Sequence, residues 1–317
     1  MQIGFIGLGN VGAKLAGSLV RNGFAPYLHD LDKTKAQDFI ANGAKWAINP
    51  KEMAEHCDVV ITCLPSPAAS AAVIEEENGL IEGFSKGNIW LEMSTTDEAE
   101  VKRISKKLNA IGVNTMDCPV SGGCHRAATG NISIFAGGNR ETFDTVFPIL
   151  KRLGRRVLHT GELGSASILK VMTNYLATAN LLTVCEALVT MKGAGLDLAT
   201  TFEAIKISSG NSFVHETESQ VILNGSRCVD FTMDLVLKDI GLFQEIAERA
   251  KINLEISPLL IKLMQDGQAR YGARAQSDRM IERFEEQTGL SILADGFPSE
   301  LTDDEPEEEG YEVRPGG

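Results

Sequence analysis

Lys170 and Asn174 lie four residues apart in "SASILKVMTNYLATANLL" (165–182), a stretch otherwise apolar or small. Helical spacing puts the two on one face. That face cannot be pure core, because an unpaired ammonium in a dry interior is expensive. In a partly dry pocket the charged form is disfavoured, so the lysine pKa falls from its reference near ~10.4. A lysine poised that way can take a proton from a hydroxyl or return one to a carbonyl oxygen. The plainer alternative is a lysine snorkelling at a helix margin.

A second constellation stands at the start of the chain. "IGFIGLGNVGAKLAGSLV" carries Gly7, Gly9 and Gly12 as G-x-G-x-x-G, directly after a strand-like run and at the head of a helical one. In this pattern the first glycine permits the tight turn, the second lets backbone approach a pyrophosphate, and the third lets helix pack on strand. Leu8, Asn10 and Val11 complete the loop, whose helix N-terminus offers free N–H groups to phosphate. Asp30 ends the next strand-like run, "PYLHD", eighteen residues after Gly12. A carboxylate there binds the adenine ribose hydroxyls and repels a 2′-phosphate, which favours NAD over NADP. Lys33 and Lys35 follow and could greet a phosphate instead, or be the solvated face of a helix.

The third constellation is "PVSGG". Ser121 offers a hydroxyl, and the Gly122 and Gly123 N–H groups can converge on a carboxylate without side-chain obstruction. Arg126, just beyond, could reach a second anionic group on a larger substrate or be a plain surface arginine. No metal-ligand constellation is evident.

The elements that must position these residues follow from periodicity. Strand candidates are "QIGFIG", "PYLHD", "DVVITCL", "NIWLEMS", "NTMDCPV", "NISIFAGG" and "RVLHTG", with helical patterns between most of them, at 10–22, 97–110 and 140–152 for example. Alternation of this kind predicts an α/β, mostly parallel, Rossmann-type sheet domain over 1–162. After "TGELGS", where Ser165 could cap a helix, only helical periods remain, broken at "GLDL", "SSGNS", "NGSRCVD" and "KINLEISP". An all-α domain is expected over 163–295, with its first helix running to about 192. Residues 296–317 are acidic and punctuated by Pro and Gly, and are expected to be a disordered tail.

Taken in order, "DCPVSGGCHRAATGNISIFAGG" (117–138), "GELGSASILKVMTNYL" (161–176), "EMSTT" (92–96) and "LVLKDIGL" (235–242), with the N-terminal fingerprint, resemble the β-hydroxyacid dehydrogenases. The resemblance covers about residues 1–290. It implies that Lys170 is the general acid/base, with Asn174 beside it, and that Ser121, Gly122 and Gly123 bind substrate. It further implies that Ser94, Thr95, Leu64 and Pro65 lie by the cofactor, that Phe231 and Lys238 close over the nicotinamide, and that Asp239 stands at the substrate end, with the active site between the domains. From spacing alone, "MDLVLKDIGL" is a helix with a salt-bridging surface. Departures from the pattern are Ala166, Asp97 and the segment Cys124, His125, Arg126, where small residues are frequent.

Composition bounds the rest. The net charge of −13 argues against nucleic-acid and anionic-membrane partners. From Glu300 onward eight acids face one arginine, so over half of that charge is local. The six cysteines show no C-x-x-C pair and sit largely in apolar runs, which suits reduced, buried thiols and a reducing compartment. Strand-like sequence from Gln2 leaves no room for a leader, so a cytoplasmic protein is expected.

The combined expectation is reversible NAD-dependent oxidation of a small β-hydroxy acid, 3-hydroxyisobutyrate or a close analogue, to its semialdehyde by a homodimer or homotetramer. The alternatives are an NADPH-dependent reductase of a small aldehyde acid (glyoxylate, succinic or tartronate semialdehyde), a dehydrogenase for a larger dianionic or sulfonated compound, and a non-catalytic cofactor-sensing module. An imine reductase fits less well, because Lys170 is retained.

Overall fold

In a computed structural model, which describes residues 1–316, the chain divides into two compact units. One is Met1–Lys170 together with the chain from Asp303 onward, and the other is Val171–Thr302. Each is described by itself.

The first unit is built on one sheet. Its strands are β1 (Ile3–Ile6), β2 (Tyr27–His29), β3 (Lys45–Trp46), β4 (Val59–Thr62), β5 (Ile89–Glu92), β6 (Asn114–Asp117), β7 (Val120–Ser121), β8 (Ser133–Gly137), β9 (Arg156–Gly161) and β10 (Tyr311–Val313). Their order is β10-β9-β8-β6-β5-β4-β1-β2-β3, with β7 beside β8. Pairing is parallel except where β8 meets β6 and β7. All seven strands expected from the sequence are present, and β3, β7 and β10 are additional. The helices are α1 (Asn10–Arg21), α2 (Gln37–Ala41), α3 (Pro50–His56), α4 (Pro67–Glu75), α5 (Leu80–Gly83), α6 (Glu98–Ala110), α7 (Gly123–Ala128) and α8 (Arg140–Leu153).

Strands β1, β4 and β5 are buried on both faces, so they read as continuous apolar runs rather than alternating ones. On one face Leu15 and Leu19 of α1 and Val146 and Leu150 of α8 pack on Phe5 and Ile61. On the other, Met53 of α3 and Ile104 and Leu108 of α6 cover Ile6, Val60 and Trp90. Each such aliphatic side chain contributes roughly 1.5–3 kcal/mol by leaving water. The register aligns Ile6 with Thr62, Thr62 with Glu92, and Glu92 with Asp117. The loops after β1, β4, β5 and β6 therefore leave the sheet along one edge. Sequence order reverses between β1 and β4, the place where open parallel sheets bind ligands.

The tail does not behave as its composition suggests. Residues 311–313 extend the sheet as β10, with Tyr311, Glu312 and Val313 opposite Arg156, Val157 and Leu158. Acids before and within it meet basic side chains of the same unit: Glu307 with Arg21, Glu309 with Lys151 and Arg152, and Glu312 with Arg140. The local charge that reads as disorder is neutralised by residues far away in sequence.

Helix α9 (Ser165–Gly193) carries both Lys170 and Asn174 and continues into the second unit. There it is followed by α10 (Leu198–Lys206), α11 (Phe213–Asn224), α12 (Met233–Arg249), α13 (Ile256–Tyr271) and α14 (Glu282–Thr288). By length and composition alone α9 could cross a membrane. Its Leu181, Cys185 and Leu188 instead form the core of the helical unit with Phe202, Ile222 and Ile281. Of the cysteines, Cys57, Cys118, Cys124 and Cys185 are buried and Cys63 is half-buried, whereas Cys228 is exposed, unlike the expectation for it.

Candidate functional site

The glycine loop divides its labour as the spacing predicts, and the geometry says why. A Cβ on Gly7 would lie 2.2 Å from the Cys63 carbonyl oxygen, and one on Gly12 would lie 2.0 Å from that of Gly7. These two positions are closed by backbone. A Cβ on Gly9 would meet nothing within 4 Å, so the space over Gly9 is open. Gly9 is also the N-cap of α1 and supplies no side-chain cap, and the first turn holds no acid. The N–H groups there are thus left for an anion. This cradle fits a dinucleotide pyrophosphate.

Asp30, one residue past β2, is turned back onto that loop. Its Oδ2 accepts the Leu8 N–H at 2.7 Å, and its Oδ1 accepts the Asp32 N–H at 2.9 Å and faces Lys35 Nζ at 3.2 Å. Burial alone would raise its pKa. The two N–H donors and Lys35 outweigh burial and hold the carboxyl below its usual value, so it is ionised.

After β4, the Leu64 N–H donates to Ser94 Oγ at 2.7 Å, and the Ser94 N–H donates to Glu92 Oε1 at 2.8 Å. Two adjacent loops are thereby tied to each other. Glu92 is fully buried, and burial pushes its carboxyl up. Pro65 is exposed and Thr95 half-buried at the same edge.

After β6, Ser121 pairs with Ser133 of β8, and Gly122 and Gly123 follow with φ of +134° and +84°. Positive φ at both positions is open to glycine without strain, and neither residue has a side chain of its own to cover the N–H groups of the turn. Arg126 packs its stem on Gly122, whose Cβ would be 3.3 Å from Arg126 Cδ, while its Nη2 lies 3.4 Å from Glu305 Oε1. It is neither a plain surface arginine nor one aimed only at a ligand, because its guanidinium already meets a tail carboxylate.

Asp117 is the residue that sequence reasoning passed over. It ends β6 and is fully buried. Its Oδ1 accepts the Gly164 N–H at 2.8 Å, and its Oδ2 accepts the Ser167 N–H at 2.7 Å and the Ser167 hydroxyl at 2.9 Å. It thus caps α9, the role expected of Ser165, whose hydroxyl pairs with that of Thr160 instead. Burial raises the Asp117 pKa although these donors pull it down. The carboxylate is held there at a cost, and what it secures is the start of the helix bearing Lys170, 7% exposed. Within the first unit, then, Lys170 rides on a helix pinned to the same sheet edge as the glycine loop and the Ser-Gly-Gly turn.

In the helical unit, Asn174 Nδ2 donates to Asp239 Oδ2 at 2.5 Å, and Lys238 Nζ stands 3.0 Å from Asp239 Oδ1. Asp239 is buried. This bond turns the NH₂ end of the Asn174 amide toward Asp239. Phe231 precedes α12, and its N–H is held by Gln276 Oε1 at 3.0 Å. Asn174, Lys238 and Asp239 therefore form one cluster, a grouping that spacing could not give.

Comparison with known proteins agrees with this geometry. Residues 2–161 match the family described as the NAD binding domain of 6-phosphogluconate dehydrogenase. Residues 164–284 match the one described as NAD-binding of NADP-dependent 3-hydroxyisobutyrate dehydrogenase. The 2-(hydroxymethyl)glutarate dehydrogenase of Eubacterium barkeri is 29% identical over 293 residues, 92% of this chain and 97% of that one. The mitochondrial 3-hydroxyisobutyrate dehydrogenase of Rattus norvegicus is 31% identical over 256 residues, 78% of this chain and 76% of that one. A crystal structure of 3-hydroxyisobutyrate dehydrogenase from Salmonella typhimurium shares the fold, with a TM-score of 0.81 at 24% identity over 89% of this chain and 99% of that chain. NAD(P)-binding domains are thus present, and the relatives named are dehydrogenases of small hydroxy acids.

Proposed function

Because the chain belongs to the β-hydroxyacid dehydrogenase family, we propose that it catalyses the reversible, NAD-dependent oxidation of a β-hydroxy acid with a single carboxylate. 3-Hydroxyisobutyrate or 3-hydroxypropionate is the lead substrate, and the product is the semialdehyde. The observation that carries this reading is Lys170, nearly buried on a helix whose first turn Asp117 fastens to the edge where the glycine loop and the Ser121 turn emerge.

The nicotinamide, when bound, accepts the hydride from the carbinol carbon. The protein's own part is binding, orientation and the proton. Gly9 leaves room for the pyrophosphate, and Asp30 receives the adenine ribose hydroxyls. Ser121 Oγ and the Gly122 and Gly123 N–H groups hold the substrate carboxylate. Lys170 Nζ takes the hydroxyl proton during oxidation and returns it to the carbonyl oxygen in the reverse direction. Asn174, oriented by Asp239, hydrogen-bonds the substrate. Ionised Asp30 supports NAD over NADP by repelling a 2′-phosphate.

One observation favours a second reading, a dianionic hydroxy acid. Arg126 lies against Gly122, and the Eubacterium barkeri relative is named for a substrate with two carboxylates. Against it, the Arg126 guanidinium already faces Glu305. The deciding experiment measures NADH and NADPH formation with 3-hydroxyisobutyrate, 3-hydroxypropionate, serine, glycerate, 2-(hydroxymethyl)glutarate and dihydroxypropanesulfonate. Turnover of a monoanion with NAD supports the first reading. Turnover of the dianion alone, lost in Arg126→Ala, replaces it with the second, and turnover of none, or of the sulfonate alone, overturns both.

A further inference from the structure

The Ser121-Gly122-Gly123 turn is held from behind by the acidic end of the chain. Helix α7 begins at Gly123, so whatever fixes α7 also fixes the turn. His125 closes over Gly123, whose Cβ would lie 2.9 Å from His125 Cε1, and the Arg126 stem closes over Gly122. Past the helix, the Asn131 N–H donates to the Arg126 carbonyl at 2.9 Å. Asn131 is almost fully buried, and both bonds that its amide makes outside its own turn go to the tail: Nδ2 donates to Asp303 Oδ2 at 2.7 Å and to the Glu305 carbonyl at 2.8 Å. The Thr129 hydroxyl also donates to Asp303 Oδ2. Glu305 faces Arg126 at 3.4 Å, and Glu307 reaches Arg21 at 3.1 Å. Beyond them β10 locks the segment into the sheet next to β9.

We infer that Asp303 and Glu305 are positioning residues for substrate: the C-terminal segment sets the geometry of the Gly122–Gly123 carboxylate site through α7, Arg126 and Asn131. Neither residue touches the site. They act through the helix that carries it, and their charges keep Arg126 engaged away from the substrate carboxylate. A short helix flanked by two glycines with positive φ has little stiffness of its own, so its position depends on what it is tied to. The effect on substrate rests on the proposed roles of Ser121, Gly122 and Gly123. The mechanical link from tail to turn does not.

The test uses the full chain with Asp303→Asn and Glu305→Gln combined, changes that keep shape and remove charge. Amide hydrogen exchange over 121–129 is measured first, because it needs no turnover. It is expected to quicken there and not over residues 7–12. The hydroxy-acid KM is then expected to rise about tenfold, or 1.4 kcal/mol, with kcat and dinucleotide affinity unchanged. Unchanged exchange over 121–129 overturns the inference, and so does a parallel loss of dinucleotide affinity and thermal stability. Should the double variant fail to fold, Glu305→Gln alone, which leaves the Asp303 contacts in place, is read in the same way. If the unaltered protein turns over no hydroxy acid, the functional reading fails while exchange still decides the mechanical link.

Discussion

The Asp117 carboxylate accepts both the backbone N–H and the hydroxyl of Ser167, at 2.7 and 2.9 Å, three residues before Lys170 on the same helix. Charge-assisted bonds of this kind contribute about 1.5–3 kcal/mol each against the cost of burying the carboxylate. Asp117→Asn puts an amide N–H against a backbone N–H and loosens the first turn of α9. Near-attack geometry is sensitive to displacements of an ångström, so kcat is expected to fall by up to about 10²-fold while dinucleotide binding persists. Lys170→Ala, which removes the proton carrier itself, should cost about 10²–10⁴-fold in kcat, again with the dinucleotide still bound. Stopped-flow turnover alongside dinucleotide titration checks both. Full activity of Asp117→Asn would show that Lys170 does not depend on this cap.

Gly9 and Gly12 give opposite failures. A Cβ at Gly12 runs into the Gly7 carbonyl at 2.0 Å, so Gly12→Ala is expected to destabilise the fold by about 1–3 kcal/mol, although alanine is the better helix former. A Cβ at Gly9 meets open space. Gly9→Ala should keep the melting temperature and weaken dinucleotide binding by on the order of tenfold, 1.4 kcal/mol. Thermal melts with and without NAD separate the two, and a Gly9→Ala protein with unaltered NAD affinity would remove the pyrophosphate from this cradle.

What the sequence made legible is what depends on local pattern. The strand-turn-helix context of Gly7, Gly9 and Gly12 and the acid closing the second strand are short-range signals, and both stand where expected. So do the breaks between the helices of the second unit. Asp117 carries no such signal. It lies inside "NTMDCPV", and its partners come 47 and 50 residues later. The tail was misread for the same reason. Composition sees the acids from Glu300 onward, but the basic groups that order them, Arg21, Arg126, Arg140, Lys151 and Arg152 among them, are scattered along the first half of the chain. Only the fold brings those basic groups against the tail.

Asp30 and Lys35 form an ion pair, and on the proposed function their balance sets cofactor choice. Ionised Asp30 faces Lys35 at 3.2 Å. Asp30→Ser removes the negative charge and leaves Lys35 to meet a 2′-phosphate. Since juxtaposed like charges cost several kcal/mol, the ratio of kcat/KM with NADP to that with NAD should rise by about 10–100-fold. Adding Lys35→Ala should remove most of that gain. A ratio that does not move in Asp30→Ser would mean that the carboxylate is not beside the adenine ribose.

A carboxyl remote from the chemistry should make a contribution to stability that falls as pH rises. Asp278 is fully buried in the helical unit, and among the described residues neither of its oxygens has a hydrogen-bond partner. Burial pushes it up to about 7, with the Arg227 guanidinium pulling it partly back; the neighbouring Glu282 raises it and Arg279 lowers it. Glu218, raised by burial and then by the Asp278 charge, titrates at about 8. Arg227 is itself paired with Glu285 at 3.2 Å, which limits the help it gives. In the unfolded chain Asp278 ionises near ~3.9, so between there and about 7 the folded state holds a proton that the unfolded state has lost. Each rise in pH through that window favours unfolding, by a total on the order of a few kcal/mol. Asp278→Asn keeps the shape without the charge. It should raise the melting temperature at pH 8, leave it nearly unchanged at pH 4, and flatten the pH profile between. Scanning calorimetry at both pH values decides the point, and a variant less stable than the parent at pH 8 would mean that the Asp278 charge is compensated in the folded state.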